Sequence, residues 1–257
     1  MTIKKISIAF VLLAMTLVSC TTNSLAGRSS FNMISEQEEL AMGEDAYRQV
    51  LAEEKLSTNK KDIARLQSVS ARLIEVASPD MPNAAWEFNV LESNVINAFA
   101  VPGGKVAIYS ALLHLLNDDE VAYVLGHEIA HVTLHHGSER MSQQMLVNVG
   151  SALVSVFLSN KDEKTSSIFL AAYGLGSQVG ILLPFSRKNE LEADKFGTMY
   201  AAKAGYNPEA AITTLQKFKE MSKGQQQEPE FLSTHPLDDS RIRALQQNMD
   251  EFKKLGK

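Results

Sequence analysis

Within five residues, His127-Glu128-Ile129-Ala130-His131, the chain places two imidazoles and a carboxylate where they can work together. Four residues make slightly more than one helical turn, so both histidines fall on one face of a helix. Imidazole nitrogen is a good zinc ligand. A structural zinc takes four protein ligands, whereas a catalytic zinc takes three and a water. Glu128 stands beside the first histidine, where a carboxylate can accept a proton from that water. Histidines near a helix end also occur for simpler reasons, satisfying the dipole or facing solvent. The spacing with an intervening glutamate points instead to zinc-dependent peptide hydrolysis.

The flanking residues supply the helix this chemistry needs. Asn117, Asp118, Asp119 and Glu120 read as a capped start. Val121, Val124, Leu125, Ile129 and Val132 predict an amphipathic helix that stops near Gly137. A third ligand must come from elsewhere. Ser186 opens a second helical stretch that runs through Phe196, Met199 and Tyr200 to Gly205, and its Glu190 and Asp194 share a face at i and i+4. Alone, Glu190, Glu192 and Asp194 would read as a solvated acidic face. With the upstream motif, Glu190 is the candidate third ligand. Asp194 becomes a candidate acceptor for the outer ring nitrogen of a ligand histidine, which would fix its tautomer.

His127 to His131, together with Glu190-Leu-Glu-Ala-Asp194 after Ser186-Arg187, resembles the M48 family of zinc metallopeptidases. That family includes CAAX-prenyl proteases, mitochondrial quality-control peptidases and bacterial periplasmic lipoprotein proteases. Three further segments fit the resemblance: Asn97 to Gly104, Ser110 to Leu113, and Thr234-His235-Pro236 followed by Arg241-Ile242. Together they span roughly residues 35 to 250. The resemblance implies an α+β, mainly helical, zincin-like (gluzincin) fold with a small sheet beside the active-site helix. It implies one Zn2+ held by His127, His131 and Glu190, with Glu128 as general base. It also brings His235 to the zinc, either blocking it as a fourth ligand or stabilising the oxyanion; by itself His235 reads as a turn histidine. Asn97, Ala98, Phe99 and Ala100 would form an edge on which substrate docks as an added strand. Without the resemblance they read as ordinary core strand.

The amino terminus bears on compartment. Lys4 and Lys5 precede the apolar run Ile6 to Val18, too short for a persuasive span, which ends in Leu17-Val18-Ser19-Cys20. This resembles a bacterial lipobox. The expected organisation is a leader over 1–19, lipidated Cys20 and a flexible tether over 20–34, and a peptidase domain over 35–257. Thr21 rather than aspartate after the cysteine favours the outer membrane by resemblance. Cys20 is the sole cysteine, so no intramolecular disulfide is available. Loss of Lys4 and Lys5 from the 25 basic residues leaves 23 against 30 acidic, and no basic stripe suits nucleic acid.

Elsewhere the pattern is helical around one sheet. Ser35 to Glu38 resembles a capping box for a helix reaching Glu54, and Ile63, Leu66, Val69, Leu73 and Val76 keep helical spacing. Trp86, Phe88 and Val90 alternate as a strand, while Phe99–Val101 and Val106–Tyr109 flank a Pro-Gly-Gly bend. Leu146–Leu158 and Ile168–Phe185 suggest a helical hairpin near the active site, short for membrane spans. Helices follow near Pro208–Met221 and Leu237–Lys254, linked by polar Ser222–Glu230, with His235 at the start of the last one. His114 is expected to pack in an apolar stretch, and His135 and His136 to suit the helix end; none of the three is expected to bind metal.

The expected partners are unfolded or misassembled envelope proteins, the outer membrane and other envelope quality-control proteases. Two alternatives stand beside this reading. One is a chaperone-like assembly factor for outer-membrane proteins with latent proteolysis. The other, an integral-membrane CAAX-type protease, is weakened by the leader and the missing spans.

Overall fold

The computed structural model describes residues 20–23, 25–145, 185–224 and 229–256. The leader and nearly all of the expected apolar hairpin, 146–184, lie outside the described residues. Local capping chemistry starts most of the helices. Ser35 and Glu38 form a reciprocal box at α1 (Glu36–Glu53), Asn59 caps α2 (Lys60–Ala77), and Asn117 with Glu120 caps α4 (Asp118–Thr133). Short α3 (Ser110–Leu115) precedes α4. Ser186 caps α5 (Arg187–Lys203), followed by α6 (Ala210–Gly224), short α7 (Glu230–Thr234), and α8 (Asp239–Leu255) capped by Asp238.

The sheet has three strands, β3 (Glu87–Leu91), β4 (Ala98–Val101) and β5 (Lys105–Tyr109), in the order β3-β5-β4. β5 pairs parallel with β3 and antiparallel with β4, Ala98 facing Ile108 and Val101 facing Lys105. The bend between β4 and β5 needs left-handed backbone at Gly103 (φ 85°) and Gly104 (φ 81°). β4 is thus an edge strand, and it packs against α4. Among the described residues, no helix is long and apolar enough to cross a membrane.

α4 departs from the amphipathic pattern read in the sequence: every residue from Glu120 to Thr133 is buried. The sheet lies along it, and α2, α5 and α6 close the remaining sides. A helix enclosed on all sides has no solvent face to keep polar. Its closest neighbour is α5, and two glycines set the approach. A Cβ on Gly126 would stand 2.6 Å from the Gly197 carbonyl oxygen, and one on Gly197 would stand 2.5 Å from the His127 nitrogen. Backbone therefore meets backbone at the level of the first histidine, which no larger residue would allow.

Several expectations are corrected. α4 ends at Thr133, not Gly137; His135 turns the chain with φ 54° while its Nδ1 contacts Glu39 at 2.8 Å. Gly137 falls inside a further helical segment over 136–145. His114 does not pack in the core. Its side chain is largely exposed and its Nε2 sits 2.9 Å from Asp62. His235 caps the end of α7 rather than opening the last helix, which starts after Asp238.

The amino-terminal segment is not a free tether. β1 (Cys20–Asn23) and β2 (Arg28–Phe31) pair as a hairpin, Cys20 facing Phe31. Asn23 donates to the Leu134 carbonyl at 2.7 Å, and Arg28 bonds Glu139 and Glu192. Its Ser, Thr, Asn and Gly content looks like loop, but these partners lie more than a hundred residues away and leave no local trace.

Candidate metal centre

Four buried side chains converge from three helical elements. His127 and His131 come from the middle of α4, Glu190 from the first turn of α5, and His235 from the end of α7; one ligand atom of each lies within 4.8 Å of all the others. His127 Nε2 is 3.0 Å from His131 Nε2 and 3.2 Å from His235 Nδ1. Glu190 Oε1 stands 3.4 Å from His131 Nε2 and 3.1 Å from His235 Nδ1. Phe185 stacks on His131 at 3.9 Å and Phe231 on His235 at 4.4 Å, forming an apolar wall.

Charge shows what this pocket suits. Three carboxylates, Glu128, Glu190 and Asp194, are buried around the histidines, and the Arg241 guanidinium pairs with the last two. Negative charge left in excess where desolvated charge is costly would be offset by a divalent cation. The histidines respond to the same field. Burial works against a charged His127, yet Asp194 and Glu190 prevail and push it up to about 9. His131, whose burial is not so offset, is held well below the ordinary imidazole value. Nitrogen and oxygen donors in this number fit zinc. These residues therefore fit the metal that the sequence pattern implies.

Each oxygen of Glu190 has a separate place. Oε1 faces His131 and His235, while Oε2 is paired with Arg241 Nη1 at 2.6 Å and lies 3.5 Å from His127 Nε2. Asp194 lies one turn further along α5. Its Oδ1 is 3.0 Å from His127 Nδ1, close enough to orient the ring. Arg241 Nη2 and Nε donate to the two Asp194 oxygens at 2.6 and 2.7 Å, and Tyr123 donates its hydroxyl at 2.8 Å. Glu190 and Asp194 thus turn inward from one face of α5 instead of forming a solvated acidic face, with Glu192 reaching towards Arg28 and His136.

Arg241 was legible in the sequence only as part of a matching segment, with no role attached to it. It is fully buried on the first turn of α8, and the distance from residue 194 hides the contact from any periodicity. His136 was expected to sit charged at a helix end. It is instead completely buried and its pKa is lowered by that burial.

Glu128 points across the cluster. Its Oε1 is buried without a hydrogen-bond partner and lies 3.3 Å from His235 Nε2. Burial raises its pKa, partly countered by His235 and His127. A carboxylate so placed is a better proton acceptor than one in water. Asn97, Ala98, Phe99 and Ala100 lie on and just before edge strand β4, and the Ala100 amide contacts Glu128.

Acid should open this centre. Burial alone would raise Asp194, but Arg241 and His127 bring it from 3.8 down to about 2. Glu190 is likewise held well below its ordinary value, against burial, by Arg241 and His235. Both carboxyls bind protons less readily folded than unfolded. The stability they confer is therefore complete above their ordinary values near pH 4 and is lost as pH falls towards 2. Circular dichroism of the metal-free protein should show unfolding that begins below about pH 4; a helical signal unchanged at pH 2 would contradict this.

The family model described as Peptidase family M48 matches residues 60–249. The chain belongs to peptidase family M48. Among its M48 relatives, the Beta-barrel assembly-enhancing protease of Yersinia pestis is 33% identical over 232 residues, covering 88% of this chain and 47% of that protein. The Mitochondrial metalloendopeptidase OMA1 of Schizosaccharomyces pombe is 34% identical over 234 residues, covering 88% of this chain and 66% of that one. The human Metalloendopeptidase OMA1 is 31% identical over 245 residues, covering 90% and 44%. The chain thus spans from under half to two thirds of the length of these relatives. Membership agrees with the mainly helical architecture around a small sheet, the zincin-like plan expected from the sequence.

Proposed function

We propose that this chain is a zinc-dependent endopeptidase of the bacterial cell envelope that hydrolyses peptide bonds in unfolded or misassembled envelope proteins. The observation that carries the reading is the buried cluster of His127, His131 and Glu190 with Glu128 beside it. Two named relatives, in Yersinia pestis and Escherichia coli, are proteases that enhance β-barrel assembly, which supports barrel proteins as the substrate class. The leader and the Leu17-Val18-Ser19-Cys20 sequence support a lipid anchor at Cys20 in the outer membrane, facing the periplasm. Other envelope quality-control proteases would be its neighbours there.

His127, His131 and Glu190 would hold the zinc. Bound there, zinc supplies Lewis-acid polarisation of the scissile carbonyl and increases the acidity of water. Glu128 takes the proton of the attacking water and delivers it to the departing amine. Edge strand β4 offers Ala98, Phe99 and Ala100, with Asn97 just before it, for pairing with an extended substrate, which reads backbone rather than side chains and suits unfolded clients. Phe185 and Phe231 keep the reacting groups dry.

A second reading has its own observation. His235 lies among the ligands, and four protein ligands make a closed site. The chain would then act mainly as a chaperone-like assembly factor with latent proteolysis. Zinc content and cleavage of casein, with and without a chelator, test both. Stoichiometric zinc with chelator-sensitive cleavage supports the peptidase. Zinc without cleavage favours latency, which His235→Ala should relieve. A protein that takes up no zinc even after reconstitution sinks both.

A further inference from the structure

His127 and His131 present their Nε2 atoms to the same centre, but their outer nitrogens are supported differently. His127 Nδ1 faces Asp194, which Arg241 holds. Among the described residues, His131 Nδ1 faces no carboxylate. It lies 3.1 Å from Nδ1 of His136, whose Nε2 lies 3.1 Å from Glu192 Oε2. Glu192 is gripped by Arg28 of the amino-terminal hairpin, with Nε at 2.8 and 3.0 Å from its two oxygens and Nη2 at 2.8 Å. The other edge of the same guanidinium bonds both oxygens of Glu139, at 2.9 and 2.7 Å. Arg28 therefore ties α5 to the helical segment that carries His136.

Donors and acceptors along this row allow one consistent arrangement when His131 offers Nε2 as a ligand. A neutral ring with Nε2 free of hydrogen must carry its proton on Nδ1. That N–H donates to Nδ1 of His136, which must then carry its own proton on Nε2 and donate it to Glu192. Glu192 accepts, and Arg28 fixes Glu192 in place. Every contact is satisfied without a second donor or acceptor at any point. His136 is fully buried, so no water can replace it.

We propose that Arg28 is a positioning residue of the metal centre, acting through Glu192 and His136 to fix the ring and tautomer of His131. The hairpin is then a working part of the peptidase fold rather than a spacer before it, and the centre is backed by one arginine from each end of the chain. The inference rests on the zinc reading given under Proposed function.

The test measures zinc affinity by chelator competition, and the visible absorption of the cobalt(II)-loaded full chain, for Arg28→Met, Arg28→Lys and Glu192→Gln. Partners that orient a ligand histidine typically change metal affinity by about 10–100-fold. Arg28→Met and Glu192→Gln should each weaken zinc binding by that amount and shift the cobalt bands at saturating metal. Arg28→Lys should fall between them and wild type, because an ammonium cannot fork onto two carboxylates. The double variant should lose little beyond either single change, since both break one row. Glu192→Gln keeps the side chain's shape and carries the test if Arg28→Met does not fold. Folded variants with wild-type affinity and an unchanged cobalt spectrum would overturn the proposal and leave the zinc reading intact. A wild type that binds no zinc would overturn both.

Discussion

Glu128→Gln should lower the turnover of an unfolded protein by about 10²–10⁴-fold while zinc content stays at the wild-type level. The glutamine keeps the size and place of the side chain, so the α4 face bearing His127 and His131 is undisturbed. It cannot accept a proton. Glu128 Oε1 has no hydrogen-bond partner to lose, and His235 Nε2 lies 3.3 Å from it. Removing a buried carboxylate whose pKa is raised by burial should leave stability unchanged or slightly higher. The expected outcome is therefore a split between intact metal and lost turnover. Equal zinc with equal turnover would show that another group serves as base. A joint loss of both would place Glu128 among the ligands instead.

Arg241→Leu should produce the opposite pattern, a loss of stability first and of metal binding with it. The guanidinium pairs Glu190 Oε2 and both oxygens of Asp194, and all three side chains are buried. Leucine would leave two carboxylates without their permanent cation. Breaking a buried pair in this way costs about 3–5 kcal/mol, because the surviving charge is stranded. For a domain of this size that lowers the melting midpoint by about 6–20 °C. The acid limb should move as well. Without Arg241, Asp194 and Glu190 lose their main reason to stay ionised, so unfolding should begin at higher pH. Zinc should partly restore the midpoint by supplying positive charge to the same carboxylates. Calorimetry in the presence and absence of zinc reads both effects, and a midpoint within 2 °C or so of wild type would argue that the arginine is dispensable.

These two variants separate what the sequence disclosed from what it hid. His127, Glu128 and His131 lie within little more than one helical turn, and Glu190 and Asp194 lie within another such span. Helix geometry fixes such relations, and the Asn117 and Ser186 caps announce the helices that carry them. The hairpin between β4 and β5 was legible for the same reason, since a Pro-Gly-Gly bend joins adjacent runs. Where local pattern misled, long-range packing had intervened. α4 carried too many apolar residues for a surface helix because sheet and helices enclose it completely. His135 ends that helix without a glycine because Glu39, from α1, meets it.

By itself, then, the sequence set the two candidate ligand histidines on one helix face with a carboxylate between them, set Glu190 and Asp194 on another, and indicated the family to which the chain belongs. Each of these depends on residues within a turn or two of one another, or on several such groups matched jointly. Only the tertiary structure decided that the two pairs face each other, and it did so through the backbone contact of Gly126 with Gly197. It also decided that Arg241 holds the acidic pair and that Arg28 reaches Glu192 from 164 residues away. A buried ion pair is specified by the packing of the elements that carry it, and no spacing along the chain records that packing.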